Sequence, residues 1–139
     1  FNCTHIPKIK KFTSSEFLYF WNMGTIKSAN DEYLIRSGEH QKNLLLVLSG
    51  SADVEVNGKP IANLTRGTFI AEISFLSGEP ASADVHVNDE LFFVSWNSDR
   101  LKNLKDENPS FWMKLQHALS EDLIKKVKPQ AKRDSQIED

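Results

Sequence analysis

One segment, Gly67 to Val85, orders its residue types as a site as well as a packing element. A glycine turn leads into a short apolar helical turn carrying a single carboxylate, Glu72. Ser77-Gly78-Glu79-Pro80 then breaks the chain before a strand from Ser82 to Val87. A short helix pinned between two strands aims its first N–H groups into a cavity, and such groups bind anions. The chemistry expected here is ligand binding.

Catalysis finds less support. His5, His40, His86 and His117 are scattered, and no two stand two apart. A cupin-type metal site needs a His-x-His pair with a Glu and a further His, so no metal ligands are assigned. Asp84 and His86 share a strand face but lack a third partner for a catalytic set. There is no Gly-x-Ser-x-Gly elbow, no His-Glu-x-x-His and no phosphate loop of the Walker type. The sequence reads as non-enzymatic, with no catalytic residue.

The elements that position the segment follow from composition and periodicity. With 139 residues, 40% apolar and 26% charged, the chain can bury one core and no more. Its net charge of −2 sets up no global basic field for nucleic acid. One cysteine, Cys3, excludes an internal disulfide and fits a reducing, cytoplasmic compartment. The longest apolar run, Leu44 to Leu48, is far below the roughly 20 residues of a membrane span. Opening at Phe1 instead of a methionine suggests a truncated or processed product with an upstream segment.

Residues 1–13 read as a mixed lead-in. Ser14 or Ser15 caps a helix to about Asn22, with Phe17, Leu18, Phe20 and Trp21 on its apolar face. Short strands follow: Gly24 to Ser28, Tyr33 to Arg36, and Leu44 to Leu48 ending at Ser49-Gly50. Ala52, Val54 and Val56 alternate with polar residues into the Asn57-Gly58 hairpin, and Ile61 to Leu64 returns. After the Gly67 segment, a turn at Asn88-Asp89 separates Ser82–Val87 from Leu91–Trp96. Ser98 caps a helix through Leu101 and Leu104, and a longer one runs from Ser110 to about Val127 with Trp112, Leu115, Leu119 and Leu123 on one side. Residues 129–139 read as a frayed polar tail. The fold expected is mainly β, an antiparallel jelly roll over 14–128 with an N-terminal helix, a short internal helix and two C-terminal helices.

The order Phe69, Glu72 to Leu76, Pro80 and Ser82 to Val85 resembles the phosphate-binding cassette of cyclic nucleotide-binding domains, Phe-Gly-Glu-Leu-Ala-Leu-Leu, loop, Pro-Arg-Ala-Ala-Thr-Val. The resemblance extends over Ser14 to Val127 through the order of elements. It implies a ligand-contact set of Ala71, Glu72, Ile73, Ser74, Ala81, Ser82 and Ala83, with Glu72 accepting a ribose hydroxyl. Two positions depart from the pattern: Ala71 stands for the glycine and Ala81 for the phosphate-pairing arginine. An alanine methyl cannot replace a planar bidentate cation. Cyclic AMP binding is therefore expected to be weak, altered or lost, or to give way to another small anionic ligand.

Ser74 to Ala83 and Phe93 to Leu101 are similar to Popeye-domain proteins and their bacterial membrane-associated relatives. That likeness implies the soluble, cytoplasmic part of a membrane protein. From the residues themselves Glu72 can instead cap its own helix and Ser82 can bond local backbone. Three readings stand: a ligand sensor, a ligand-free interaction or dimerisation module using the C-terminal helix, and DNA binding. The last would need a helix-turn-helix beyond Val127, so this chain does not bind nucleic acid alone.

Overall fold

The computed structural model describes residues 12–138, with side-chain surroundings through residue 123; most of the lead-in, with Cys3 and His5, lies outside the described residues. The elements run α1 (Ser14–Met23), β1 (Thr25–Asn30), β2 (Tyr33–Ile35), β3 (Asn43–Val56), β4 (Lys59–Leu64), β5 (Phe69–Ile70), α2 (Glu72–Ser77), β6 (Asp84–Asn97), α3 (Ser98–Lys102), α4 (Leu104–Glu107) and α5 (Pro109–Glu138). They form the antiparallel jelly roll with flanking helices that the periodicity implies.

Two 14-residue strands carry the roll. β3 and β6 pair antiparallel from Asn43 opposite Asn97 to Glu55 opposite Asp84. β1 and β2 pair with β6, and β4 and β5 pair with β3. The separate strands expected on either side of Ser49-Gly50, and on either side of Asn88-Asp89, are therefore continuous; there is no turn at Asn88-Asp89. The register instead shifts between Val47 and Ser49 and between Gly50 and Ala52. Such bulges bend a strand without ending it, which lets one strand serve both halves of the roll. Gly50 makes the bend feasible: its φ is +87°, and a Cβ there would collide with the Glu90 carbonyl oxygen.

Alternate residues of the long strands feed two cores. Leu45, Val47, Val87, Leu91 and Phe93 join Ile35, Ala52, Leu64, Ile70 and Val85 inside the roll. Leu44, Leu46, Val94 and Trp96 turn to the helices, where Phe20, Leu101, Leu104, Phe111, Leu115 and Leu119 meet them. Burial on both faces is why Leu44 to Val47 is an unbroken apolar run.

The helices differ from expectation at their ends. Thr13, not Ser14 or Ser15, caps α1: its hydroxyl accepts from Glu16 N–H, and the Glu16 carboxylate accepts from Thr13 N–H. Asn97, not Ser98, caps α3. The first C-terminal helix is two short pieces, α3 and α4, joined at Asn103. The long helix starts at Pro109, a favoured first position, and continues to Glu138, past the expected end near Val127. Its Phe111, Trp112, Leu115 and Leu119 face, the surface offered to a partner in the interaction-module reading, is buried within this chain. Among the described residues no helix is long and apolar enough to cross a membrane.

Candidate functional site

α2 hangs between β5 and the loop into β6. Its N-cap, Ala71, takes φ 72°, ψ 20°, a left-handed conformation that suits glycine and costs an L-residue about 1–2 kcal/mol. The first helical bond runs from Phe75 N–H to Ala71 O at 3.0 Å, so the N–H groups of Glu72, Ile73 and Ser74 precede the ladder. Gly78, also left-handed, closes the helix through its N–H to Ser74 O. Glu72 is only 4% exposed, which places a carboxylate in the interior beside the roll. Ile73 is 59% exposed and contributes no interior side chain, while Ser74 is half-buried.

The far end of the cassette is held by backbone. Ala81 N–H donates to Glu39 O at 2.9 Å, and Ala81 O accepts from Gly38 N–H at 2.8 Å. Ala71 and Ala81 are both half-buried and pack against the cluster inside the roll. Ser82 is exposed and Ala83 half-buried. Arg36, just after β2, lies exposed on the outer face, 4.0 Å over the Tyr33 ring and 3.9 Å from Asp84.

That outer face also takes Asp84 and His86 apart. Asp84 accepts from Ser37 N–H at 2.7 Å, and His86 sits 3.4 Å from Asp31 with its ring edge-on to Tyr33. The Tyr33 hydroxyl donates to Glu55 at 2.9 Å, and that carboxylate holds the phenol above its usual range. These are separate surface pairs and triads of ordinary kind; among the described residues no three acidic, His or Cys side chains gather as a metal site.

Comparison with known proteins decides the family. Residues 25–108, more than half of the chain, match the cyclic nucleotide-binding domain. The chain belongs to the cyclic nucleotide-binding domain family. It is 29% identical over 84 residues to a cAMP-dependent protein kinase regulatory subunit of Emericella nidulans, covering 59% of this chain and 20% of that one; the chain thus spans about a fifth of that relative. A cyclic nucleotide-binding domain crystal structure from Methylobacillus flagellatus superposes with TM-score 0.82 at 25% identity, covering 92% of this chain and 75% of the other. A PKAR CBD2 bound to Sp-2Cl-cAMPS superposes with TM-score 0.64 at 21% identity, covering 81% of each chain.

In this cyclic nucleotide-binding domain, sequence reasoning missed the clasp on Ala81. Ser37-Gly38-Glu39 was legible as a turn, yet its pairing with Ala81 has no signal at a separation of more than 40 residues. Also missed was a cleft of about 210 Å³ on the side of α2 toward α3, which His40, Lys42, Ser74, Glu79, Ser98 and Lys102 help to line. Charged residues spread over three segments carry no common spacing that would reveal it.

Proposed function

We propose that the domain, taken as residues 14–128, is a non-catalytic regulatory sensor. Its cassette takes cyclic AMP weakly or in altered geometry, or another small anionic ligand. The observation that carries this is the pairing of a buried Glu72 with apolar methyls at Ala71 and Ala81. The acceptor for a sugar hydroxyl is kept while the bidentate cation for a phosphate is replaced. Losing one partner of a buried charge pair costs about 2–5 kcal/mol, or roughly two to four decades of affinity. The Popeye-like reading of Ser74 to Ala83 supports an arginine-free cassette.

A response requires that ligand bind two arrangements of the helices unequally. Phe75 of α2 meets Trp112 of α5 at 5.8 Å between ring centroids, so movement of the cassette is felt by the long helix. Thermal unfolding with millimolar cyclic AMP and cyclic GMP tests the reading. A rise in Tm at millimolar but not micromolar nucleotide, abolished by Glu72→Gln, is expected. Saturation at micromolar nucleotide contradicts the weakening. No response to either nucleotide leaves cyclic nucleotides out and turns the search to other anions.

A further inference from the structure

We propose that the far part of α5, from Leu123 to Arg133, docks on an anionic lipid bilayer and lies along its headgroup layer. The proposal does not rest on the cassette reading. Leu119 is the last buried position of α5 among the residues whose side-chain surroundings are described, and the helix continues to Glu138. At 1.5 Å per residue, roughly 28 Å of helix follows that position.

The residue order of this stretch is two-sided. On a helix turning roughly 100° per residue, Leu123, Ile124, Val127 and Ala131 fall within an arc of about 100°. Lys125, Lys126, Lys128, Lys132 and Arg133 fall within a separate arc of about 160°. No acidic residue stands between Asp122 and Asp134, so these cations act with one sign. The length of the helix decides how they are read. A helix ending near Val127 would use Lys125, Lys126 and Lys128 to complement its own carbonyl end. The observed end at Glu138 leaves them about three turns inside, and the dipole acts only within the last turn. Their complement therefore lies outside the helix.

Charge and stripe together choose the occupant. A basic helix with one apolar side lies in a membrane interface, its stripe at the acyl boundary and its cations among the headgroups. Each Lys or Arg near an anionic surface raises partition roughly fivefold. Lys126 and Lys128 stand on opposite sides of the apolar arc, so a second copy packed stripe to stripe would set like charges along both borders. A bilayer brings no such conflict, because lysine stems run along the apolar layer while their ammonium groups reach the phosphates. A nucleic acid would meet the cations and leave Leu123, Ile124 and Val127 without an apolar layer. The same helix carries Trp112, whose ring centroid lies 5.8 Å from that of Phe75 in α2, so surface and cassette act on one element.

The test is co-sedimentation of the whole chain with vesicles of equal parts phosphatidylcholine and phosphatidylglycerol, against vesicles of phosphatidylcholine alone. Binding to the anionic vesicles only, lost at about 1 M salt where the screening length is about 3 Å, is expected. The triple variant Lys126→Gln, Lys128→Gln, Lys132→Gln should bind about a hundredfold more weakly at unchanged Tm. Val127→Asn should weaken binding about tenfold, which attraction by charge alone would not produce. Equal binding to both kinds of vesicle, binding to neither, or no effect of the triple variant would overturn the proposal. So would binding to polyuridylic acid, or a concentration-dependent dimer in sedimentation velocity, by a chain that leaves the anionic vesicles unbound.

Discussion

Ala81 and Glu39 are tied main chain to main chain, with the Ala81 N–H 2.9 Å from the Glu39 carbonyl oxygen and Gly38 N–H returning to Ala81 O at 2.8 Å. The clasp closes the turn after β2 onto the loop between α2 and β6 and fixes the backbone at Ala81. It depends on Gly38 at φ +90°, where no atom would crowd a Cβ within 4 Å. Gly38→Ala therefore isolates the backbone cost. We expect a loss of about 1–2 kcal/mol, read as a fall in Tm of about 3–8 °C. An unchanged Tm would mean that the turn takes an L-residue at this φ without cost.

Ala71 is the converse case. Its φ of 72° is strained for alanine, so Ala71→Gly relieves the strain while adding unfolded-state entropy and removing one methyl contact. The expected outcome is a Tm equal to or a few degrees above that of the unaltered chain. Glycine in most ordered segments lowers stability, so a clear fall in Tm would show that the methyl packing outweighs the backbone strain.

The termini of the domain are joined by Lys114 and Glu16, whose Nζ to Oε1 and Oε2 distances are 2.8 and 3.0 Å. The Lys114 hydrogen bond, then the Thr13 N–H, hold Glu16 below its ordinary 4.5. A depressed carboxylate stabilises the fold above its unfolded pKa and loses that contribution as pH falls through the folded one. Glu16→Gln keeps the cap but not the charge. The Tm difference between the two chains should hold constant above 4.5 and shrink to nothing in more acid solution. A difference that persists at low pH would assign it to something other than this charge.

Trp96 anchors α1 onto β6: its Nε1–H donates to Phe20 O at 2.7 Å while the two rings stack at 4.1 Å and 7°. Trp96→Phe keeps an aromatic ring and strands a buried carbonyl, for a loss of about 1–3 kcal/mol by denaturant unfolding. A loss well under this would mean that another donor reaches Phe20 O.

Much of this was legible because it is local. The Asn57-Gly58 hairpin is written in two residues, with Asn57 at φ 53° and Gly58 at φ 78°. The cassette helix is marked by Gly78 and Pro80. What escaped the sequence depends on distant partners. Asn88-Asp89 has turn composition, yet β3 runs alongside and Asn88 bonds Ser51 across the sheet, so the strand bends and continues. Thr13 outcompetes the two serines as cap because Glu16 stands three residues after it, a reciprocal pair that a search for a single capping hydroxyl overlooks. Sequence order names Glu72 and Ala81 by pattern alone; the burial of Glu72 and the bond from Ala81 to Glu39 are tertiary facts that pattern does not carry.

The most direct test of the account is calorimetric titration of cyclic AMP into the unaltered chain and into Ala81→Arg. If the missing cation limits phosphate binding, the variant should bind at least about tenfold more tightly, a gain of about 1.4 kcal/mol, and lose that gain on adding Glu72→Gln. Equal affinity in the two chains, or tight binding by the unaltered chain that the arginine does not improve, would contradict it.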